Sequence, residues 1–194
     1  IHQSLRRFAD GSPAFYDANG QHGMSRMAEQ YLAGLLAHAR ETTLFVAPYV
    51  NSYKRFAAET FAPVSTVWSV DNRTAGHRLV AAGAESVRIE NRIGGADLNP
   101  YLAIASQLAA GMAGIEAGLD LEPAYEGDAY GVDEDRLIPR TLREAIAAAE
   151  DSAMLQAAFG PEVLEHYLHA ARWEQAQFDR AVTDYEVRRG FERA

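Results

Sequence analysis

The sequence predicts an α+β fold, with strands gathered in its first half and helices in its second. Residues 64–70, 78–80 and 86–93 are apolar, β-branched or alternating, as strands are. After Asn99 the pattern changes to Ala- and Leu-rich runs opened by capping residues, the signature of helices. No internal repeat interleaves the two kinds of element, and that segregation points to α+β.

Residues 1–23 mix short apolar pieces with Gly, Asp and Asn, giving a strand that leads into an irregular loop. Ser25 is placed to cap a helix in which Met27, Tyr31, Leu32, Leu35 and Leu36 recur at helical spacing as far as about Arg40. Residues 43–50 suit a helix end or a short strand, and residues 51–63 read as a long loop closed by Pro63. The turn Ala81-Ala82-Gly83-Ala84 joins the strands at 78–80 and 86–93. Asn99 caps a helix with Pro100 in its first turn, where a missing amide hydrogen costs nothing. From Tyr101 to about Leu119 that helix is so uniformly apolar that burial on most sides is expected. Residues 120–140 form an acidic loop. Thr141-Leu142-Arg143-Glu144 is a capping box before an Ala-rich helix. Gly160 ends a short turn and Pro161 starts a last helix, expected to run to about Arg189. On it Leu164, Leu168, Ala171, Gln175, Phe178, Val182 and Tyr185 make an apolar stripe suited to docking on the body or on another subunit.

At 194 residues the chain fits one domain, or a large part of one, with a substantial core. A net charge of −9, from 18 basic and 27 acidic residues, argues against nucleic acid or an anionic membrane as the main partner. No apolar run has the length of a membrane helix. The lack of cysteine excludes disulfides, thiolate catalysis and Cys-based zinc sites, and fits a cytoplasmic protein. The charge is uneven. Residues 51–92 carry Lys54, Arg55, Arg73, Arg78, Arg88 and Arg92 against Glu59, Asp71, Glu85 and Glu90, a local balance of +2 that leaves −11 elsewhere. An anion site inside an acidic protein fits this distribution. The chain opens at Ile1, in the run His2-Gln3-Ser4-Leu5, so a piece of a longer protein is expected.

The strand at 86–93 is the centre of the functional reading. Alternation puts Val87, Ile89, Asn91 and Ile93 on one face and Arg88, Glu90 and Arg92 on the other. Guanidiniums flanking a carboxylate suit a site that holds a polyanion and a metal together, because Arg grips phosphate or carboxylate and Glu is a hard oxygen ligand. A solvated, cross-linked charge ladder has the same sequence.

Four stretches, in order and at compatible spacing, resemble the glutamine synthetase family. They are His2-Gln3-Ser4-Leu5; Asn51-Ser52-Tyr53-Lys54-Arg55; Asn72-Arg73-Thr74-Ala75 with Arg78; and Arg88-Ile89-Glu90-Asn91-Arg92 running into Asn99-Pro100-Tyr101-Leu102. The resemblance covers essentially the whole chain, residues 1–194, as the carboxy-terminal part of the family's catalytic domain. It implies a sheet of antiparallel type with helices, and an enzyme that uses ATP to phosphorylate the γ-carboxylate of glutamate before a nitrogen nucleophile displaces the phosphate. By position, Arg55 would bind glutamate and the transferring phosphate, Arg73 would touch glutamate and ATP, and Arg92 would grip the glutamate carboxylate. His2, Ser4, Arg78 and Arg88 would line ATP, and Glu90 would ligate Mg2+ or Mn2+. The resemblance also implies a ring-shaped homo-oligomer. This chain by itself is expected to be inactive, because most metal ligands and the amino-terminal domain of the family lie outside it.

Three departures refine that expectation. Family members that use ammonia carry a flap glutamate six residues after the motif arginine, where this chain has Phe61. An aromatic ring there removes the anion that selects a small cation and adds apolar surface, so the amine expected is organic, as in γ-glutamyl-amine synthetases for polyamines, ethanolamine or alkylamines. Residues 81–86 lack the lysine often found near ATP. The surroundings of Tyr125 and Tyr130 match poorly the loop that is adenylylated in some bacterial members, so that regulation is not expected. His166 and His169 sit one helical turn apart, but a solvated position on a polar helix is the expected outcome for both.

Overall fold

The computed structural model describes residues 1–57, 60, 62–191 and 193. The strands are β1 (His2–Gln3), β2 (Trp68–Val70), β3 (His77–Val80) and β4 (Arg88–Asn91), in one sheet of order β1-β4-β3-β2. β4 pairs antiparallel with both β1 and β3. β2 runs parallel to β3, which corrects the expectation of an antiparallel sheet. The strand expected at 64–70 is confined to β2. Its first residues bond elsewhere: Ile138 N donates to Val64 O and Thr66 N to Arg136 O, at 3.0 and 2.8 Å. A hydrogen-bonding partner outside the sheet decides where a strand begins, and alternation cannot show it.

The helices are α1 (Arg26–Ala37), α2 (Ala39–Val46), α3 (Val50–Tyr53), α4 (Pro100–Ala117), α5 (Leu142–Glu150), α6 (Ala153–Phe159), α7 (Pro161–Arg180) and α8 (Asp184–Phe191). Ser25 caps α1 through its hydroxyl, and Asn99 caps α4 with Pro100 in the first turn, as the sequence predicts. Residues 43–46 complete α2, and α3 interrupts the expected loop after Val50. Thr141 accepts from Glu144 N; the Glu144 carboxylate reaches one residue further back, to Arg140 N.

One face of the sheet is buried on helices. Trp68, Leu79, Val87 and Ile89 pack with Tyr31, Leu32 and Leu35 of α1 and Ala110 of α4. A second cluster joins α2, α5, α6 and α7. α1 and α4 cross closely at glycines: a Cβ on Gly114 would lie 2.6 Å from Gly34 Cα, and one on Gly34 would lie 2.8 Å from Gly114 Cα. Two expectations fail among the helices. α4 buries one face and turns Tyr101, Ile104, Leu108 and Met112 outward, so it is not enclosed on most sides. The last helix does not run through to Arg189. It breaks at residues 181–183, and Thr183 and Glu186 form a capping box that starts α8: Thr183 N donates to Glu186 Oε2 at 2.7 Å and Glu186 N to Thr183 Oγ1 at 3.4 Å. The stripe on α7 is buried at Leu164, Leu168, Ala171 and Gln175, then emerges at Phe178, Val182 and Tyr185.

Candidate active site

Alternation along β4 sorts its side chains as the sequence requires. Val87, Ile89, Asn91 and Ile93 are buried, while Arg88, Glu90 and Arg92 are only partly covered. Register then brings partners from both neighbouring strands. His2 on β1 and Arg78 on β3 stand directly opposite Glu90, so three strands contribute to one polar row.

Glu90 is the hub of that row. Arg78 Nε donates to its Oε2 at 2.6 Å, and Arg92 Nη1 donates to its Oε1 at 3.4 Å. His2 Nε2 lies 3.6 Å from the same Oε1. Arg88 Nε faces His2 Nδ1 at 3.2 Å, and Arg78 reaches on to Asp71 Oδ1 at 3.1 Å. Partial burial pushes the Glu90 carboxyl up, but the Arg78 hydrogen bond and the charges of Arg78, Arg92 and His2 outweigh it and hold the group below the ordinary range. Glu90 is therefore a carboxylate at neutral pH.

Two loops complete the arrangement. Arg92 Nε donates to the carbonyl of Arg73 at 3.2 Å, which ties β4 to the loop after β2. In that loop Asn72 Oδ1 accepts from Thr74 N and Oγ1, at 2.9 and 2.8 Å, fixing the exposed Arg73 between them. Arg55, just beyond α3, donates through Nη2 to the carbonyl of Ile93. Burial presses against its charge, and the Asp97 carboxylate offsets part of that cost. Asp97 also accepts from Ser52 Oγ at 2.6 Å and so holds α3 against the loop after β4.

Of the residues singled out from the sequence, His2, Arg78, Arg88, Glu90 and Arg92 meet on one sheet face, and Arg55 and Arg73 join it through backbone contacts near Arg92. Ser4 is exposed just past β1. Phe61 lies outside the described residues. His166 and His169 are exposed on α7. Sequence reading did not single out Asp97, and it named Asp71 only in the local charge balance. Asp97 lies in the loop after β4, beyond Gly94 and Gly95, a place where only the fold brings it back to Ser52.

The donor set suits a hard divalent cation in part. Glu90 offers a carboxylate, and magnesium commonly takes one or two carboxylates and fills its remaining positions with phosphate oxygens and water. Among the described residues no group of three or more His, Cys, Asp or Glu converges. This chain would thus supply one carboxylate to such a site.

A family model described as glutamine synthetase, catalytic domain, matches residues 1–190. The chain is 48% identical to a γ-glutamylethanolamide synthetase of Streptomyces coelicolor, over all of this chain and 40% of that protein. It is 37% identical to a glutamate–isopropylamine ligase of a Pseudomonas species, over 97% of this chain and 41% of that protein. Glutamine synthetases match as well. The solved structure of GmaS without ligand superposes with a TM-score of 0.85 at 32% identity, over 96% of this chain and 43% of that one. The chain spans about two-fifths of the length of the curated relatives it matches. With a family model matched over residues 1–190 and a relative 48% identical over the whole chain, the chain belongs to the glutamine synthetase family.

Proposed function

We propose that the protein containing this chain is an ATP-dependent ligase that joins the γ-carboxylate of glutamate to an organic amine through a γ-glutamyl phosphate. The observation that carries this reading is the face on which Glu90 stands between Arg78 and Arg92 while Arg55 is anchored beside them at Ile93. In the first step a glutamate carboxylate oxygen attacks the terminal phosphorus of ATP, and the bond to the bridging oxygen breaks, releasing ADP. In the second the uncharged amine attacks the acyl carbon, the bond to phosphate breaks with its electrons on phosphate, and the nitrogen gives up a proton. Neither step asks the protein for covalent chemistry. Both ask for positioned positive charge around transferring phosphoryl oxygens.

Arg92 and Arg55 would hold glutamate, with Arg73 reaching between glutamate and ATP. Arg78, Arg88, His2 and Ser4 would line the nucleotide, and Arg55 would also face the transferring phosphate. A magnesium or manganese ion held in part by Glu90 would neutralise the phosphate charge. With a metal bound, Glu90 would exchange some guanidinium contact for it, and Arg78 and Arg92 would be placed to face phosphate oxygens, which their fork geometry suits.

The organic amine rests on Phe61 and on the two amine ligases among the relatives. An ammonium-using glutamine synthetase is the competing reading, favoured by the glutamine synthetases that also match. The protein is further read as a cytoplasmic homo-oligomer; among the described residues no helix is long and apolar enough to cross a membrane.

The test is phosphate release by the intact protein with glutamate, ATP and magnesium, compared across ammonium, ethanolamine, putrescine, spermine and simple alkylamines. Release with an organic amine well above ammonium is expected. Release with ammonium alone would make the protein a glutamine synthetase, and release with none would point to a non-catalytic relative. Phe61→Glu is expected to move the preference toward ammonium; an unchanged preference would remove Phe61 from the selectivity argument.

A further inference from the structure

Of the two buried side chains of β4, Ile89 is apolar and Asn91, only 2% exposed, is not. A buried carboxamide is costly unless its donors and acceptor are used, and an apolar residue would fill the space without that cost. The hydrogen bonds of Asn91 show where the cost is recovered. Its Nδ2 donates to Gln107 Oε1 of α4 at 2.6 Å and lies 3.3 Å from His77 Nε2 of β3. Gln107 Nε2 donates in turn to Thr42 Oγ1 of α2 at 3.3 Å. The amide group is thus fixed by the neighbouring strand β3 and by α4 behind the sheet, with α2 steadying Gln107.

The other end of the carboxamide holds the turn that follows β4. Asn91 Oδ1 accepts from the backbone amides of Ile93 and Gly94, at 2.9 and 3.4 Å. Those amides open the turn directly after Arg92, and the carbonyl of Ile93 is the acceptor for Arg55. Gly94 and Gly95 follow, and glycine gives up more conformational freedom on ordering than any other residue, so this turn has little local stiffness of its own. Arg92 N donates to Gly76 O at 2.9 Å and Gly95 N to Val46 O at 3.2 Å, and between these two anchors one side-chain oxygen holds the short stretch on which Arg92 and Arg55 converge.

We propose that Asn91 is a positioning residue for the glutamate end of the site, transferring the rigidity of the α2–α4–β3 core to the turn that aligns Arg55 with Arg92. The proposal rests on the reading of those two arginines as glutamate ligands. A misplacement of either by about 1 Å is enough to cost one to two orders of magnitude in turnover at low substrate.

The test compares two core substitutions in the intact protein. Asn91→Val removes the acceptor for Ile93 and Gly94, whereas Gln107→Leu breaks the same buried network and leaves Asn91 Oδ1 on those amides. Asn91→Val is expected to raise KM for glutamate about tenfold while KM for ATP stays within about twofold. Hydrogen exchange at the Ile93 and Gly94 amides should quicken by about tenfold or more. Gln107→Leu should lower thermal stability to a similar extent with glutamate KM within about threefold of wild type. Parallel losses of stability and glutamate affinity in Asn91→Val and Gln107→Leu, or an unchanged glutamate KM in Asn91→Val, would overturn the proposal. A wild-type protein inert toward glutamate would sink the ligase reading instead, and the exchange comparison would still decide whether Asn91 holds the turn.

Discussion

Glu90 feels opposite pulls from its surroundings, and the ion pairs win. Partial burial favours the neutral acid, yet Arg78 at 2.6 Å and the charges of Arg92 and His2 keep it ionised. Glu90→Gln keeps the shape and removes the charge that Arg78 and Arg92 share, while Arg78 keeps its bond to Asp71. In the intact protein we expect turnover to fall about 100- to 1,000-fold, with the magnesium concentration for half-maximal rate raised. A metal titration of phosphate release checks both, and a variant with wild-type metal dependence would remove Glu90 from the metal site. His77 makes the complementary case. It is fully buried, and burial pushes its pKa down from 6.5 to about 3. Above pH 6.5 folded and unfolded chains both hold it neutral, so it contributes no pH dependence there. Between pH 6.5 and about 3 only the unfolded chain takes up the proton, so stability falls as pH falls. The expected loss is on the order of 2 kcal/mol by pH 5. Urea denaturation of wild type at pH 7.5 and pH 5, set against His77→Gln, reads this as a shallower decline in the variant.

At the scale of elements, the site depends on how closely α1 and α4 approach, because the sheet lies on them. Gly34 and Gly114 meet at that crossing, where an added Cβ would lie within 2.8 Å of backbone on the opposite helix. Backbone cannot rotate away as a side-chain tip can. Gly114→Ala is therefore expected to destabilise the chain by about 1–3 kcal/mol despite the higher helix propensity of alanine, which amounts to less than about 1 kcal/mol. Gly131→Ala, at a position with open space, should be close to neutral. Denaturant midpoints of the two variants provide the comparison, and equal midpoints would show that the helices move apart freely. The break after α7 belongs to the same scale. The box from Thr183 to Glu186 restarts a helix, and Thr183→Ala should fray α8 at a local cost of about 1 kcal/mol, measured as faster amide exchange confined to residues 184–187.

For the molecule as a whole, an acidic protein holds a local surplus of arginine on one sheet face. Residues 51–92 carry a balance of +2 within a chain of net charge −9. Such a surplus draws anionic substrates toward the face and is weakened by salt. We expect KM for ATP to rise several-fold between about 0.05 and 0.5 M salt, with a smaller change in turnover at saturation. Steady-state kinetics at the two ionic strengths tests this, and a salt-independent KM would place nucleotide recognition elsewhere.

The sequence by itself determined the two faces of β4, the caps at Ser25, Asn99 and Thr141, and the motif residues that identify the family. Each of these is local: alternation, a capping hydroxyl or carboxamide, or a short run of residues fixes it without knowledge of distant contacts. The box at Thr183 was equally local, but the apolar stripe running through it concealed the break. Tertiary structure alone decided the parallel pairing of β2 with β3 and the start of β2, which depends on where residues 64–66 find hydrogen-bonding partners. It also decided which side of α4 is covered, since a helix apolar all round carries no periodic signal for its buried face. Asn91 shows the same division within one residue. Its place on the buried face was legible in the strand, whereas its role in joining α4, β3 and the Arg92 turn required residues from four parts of the chain to meet.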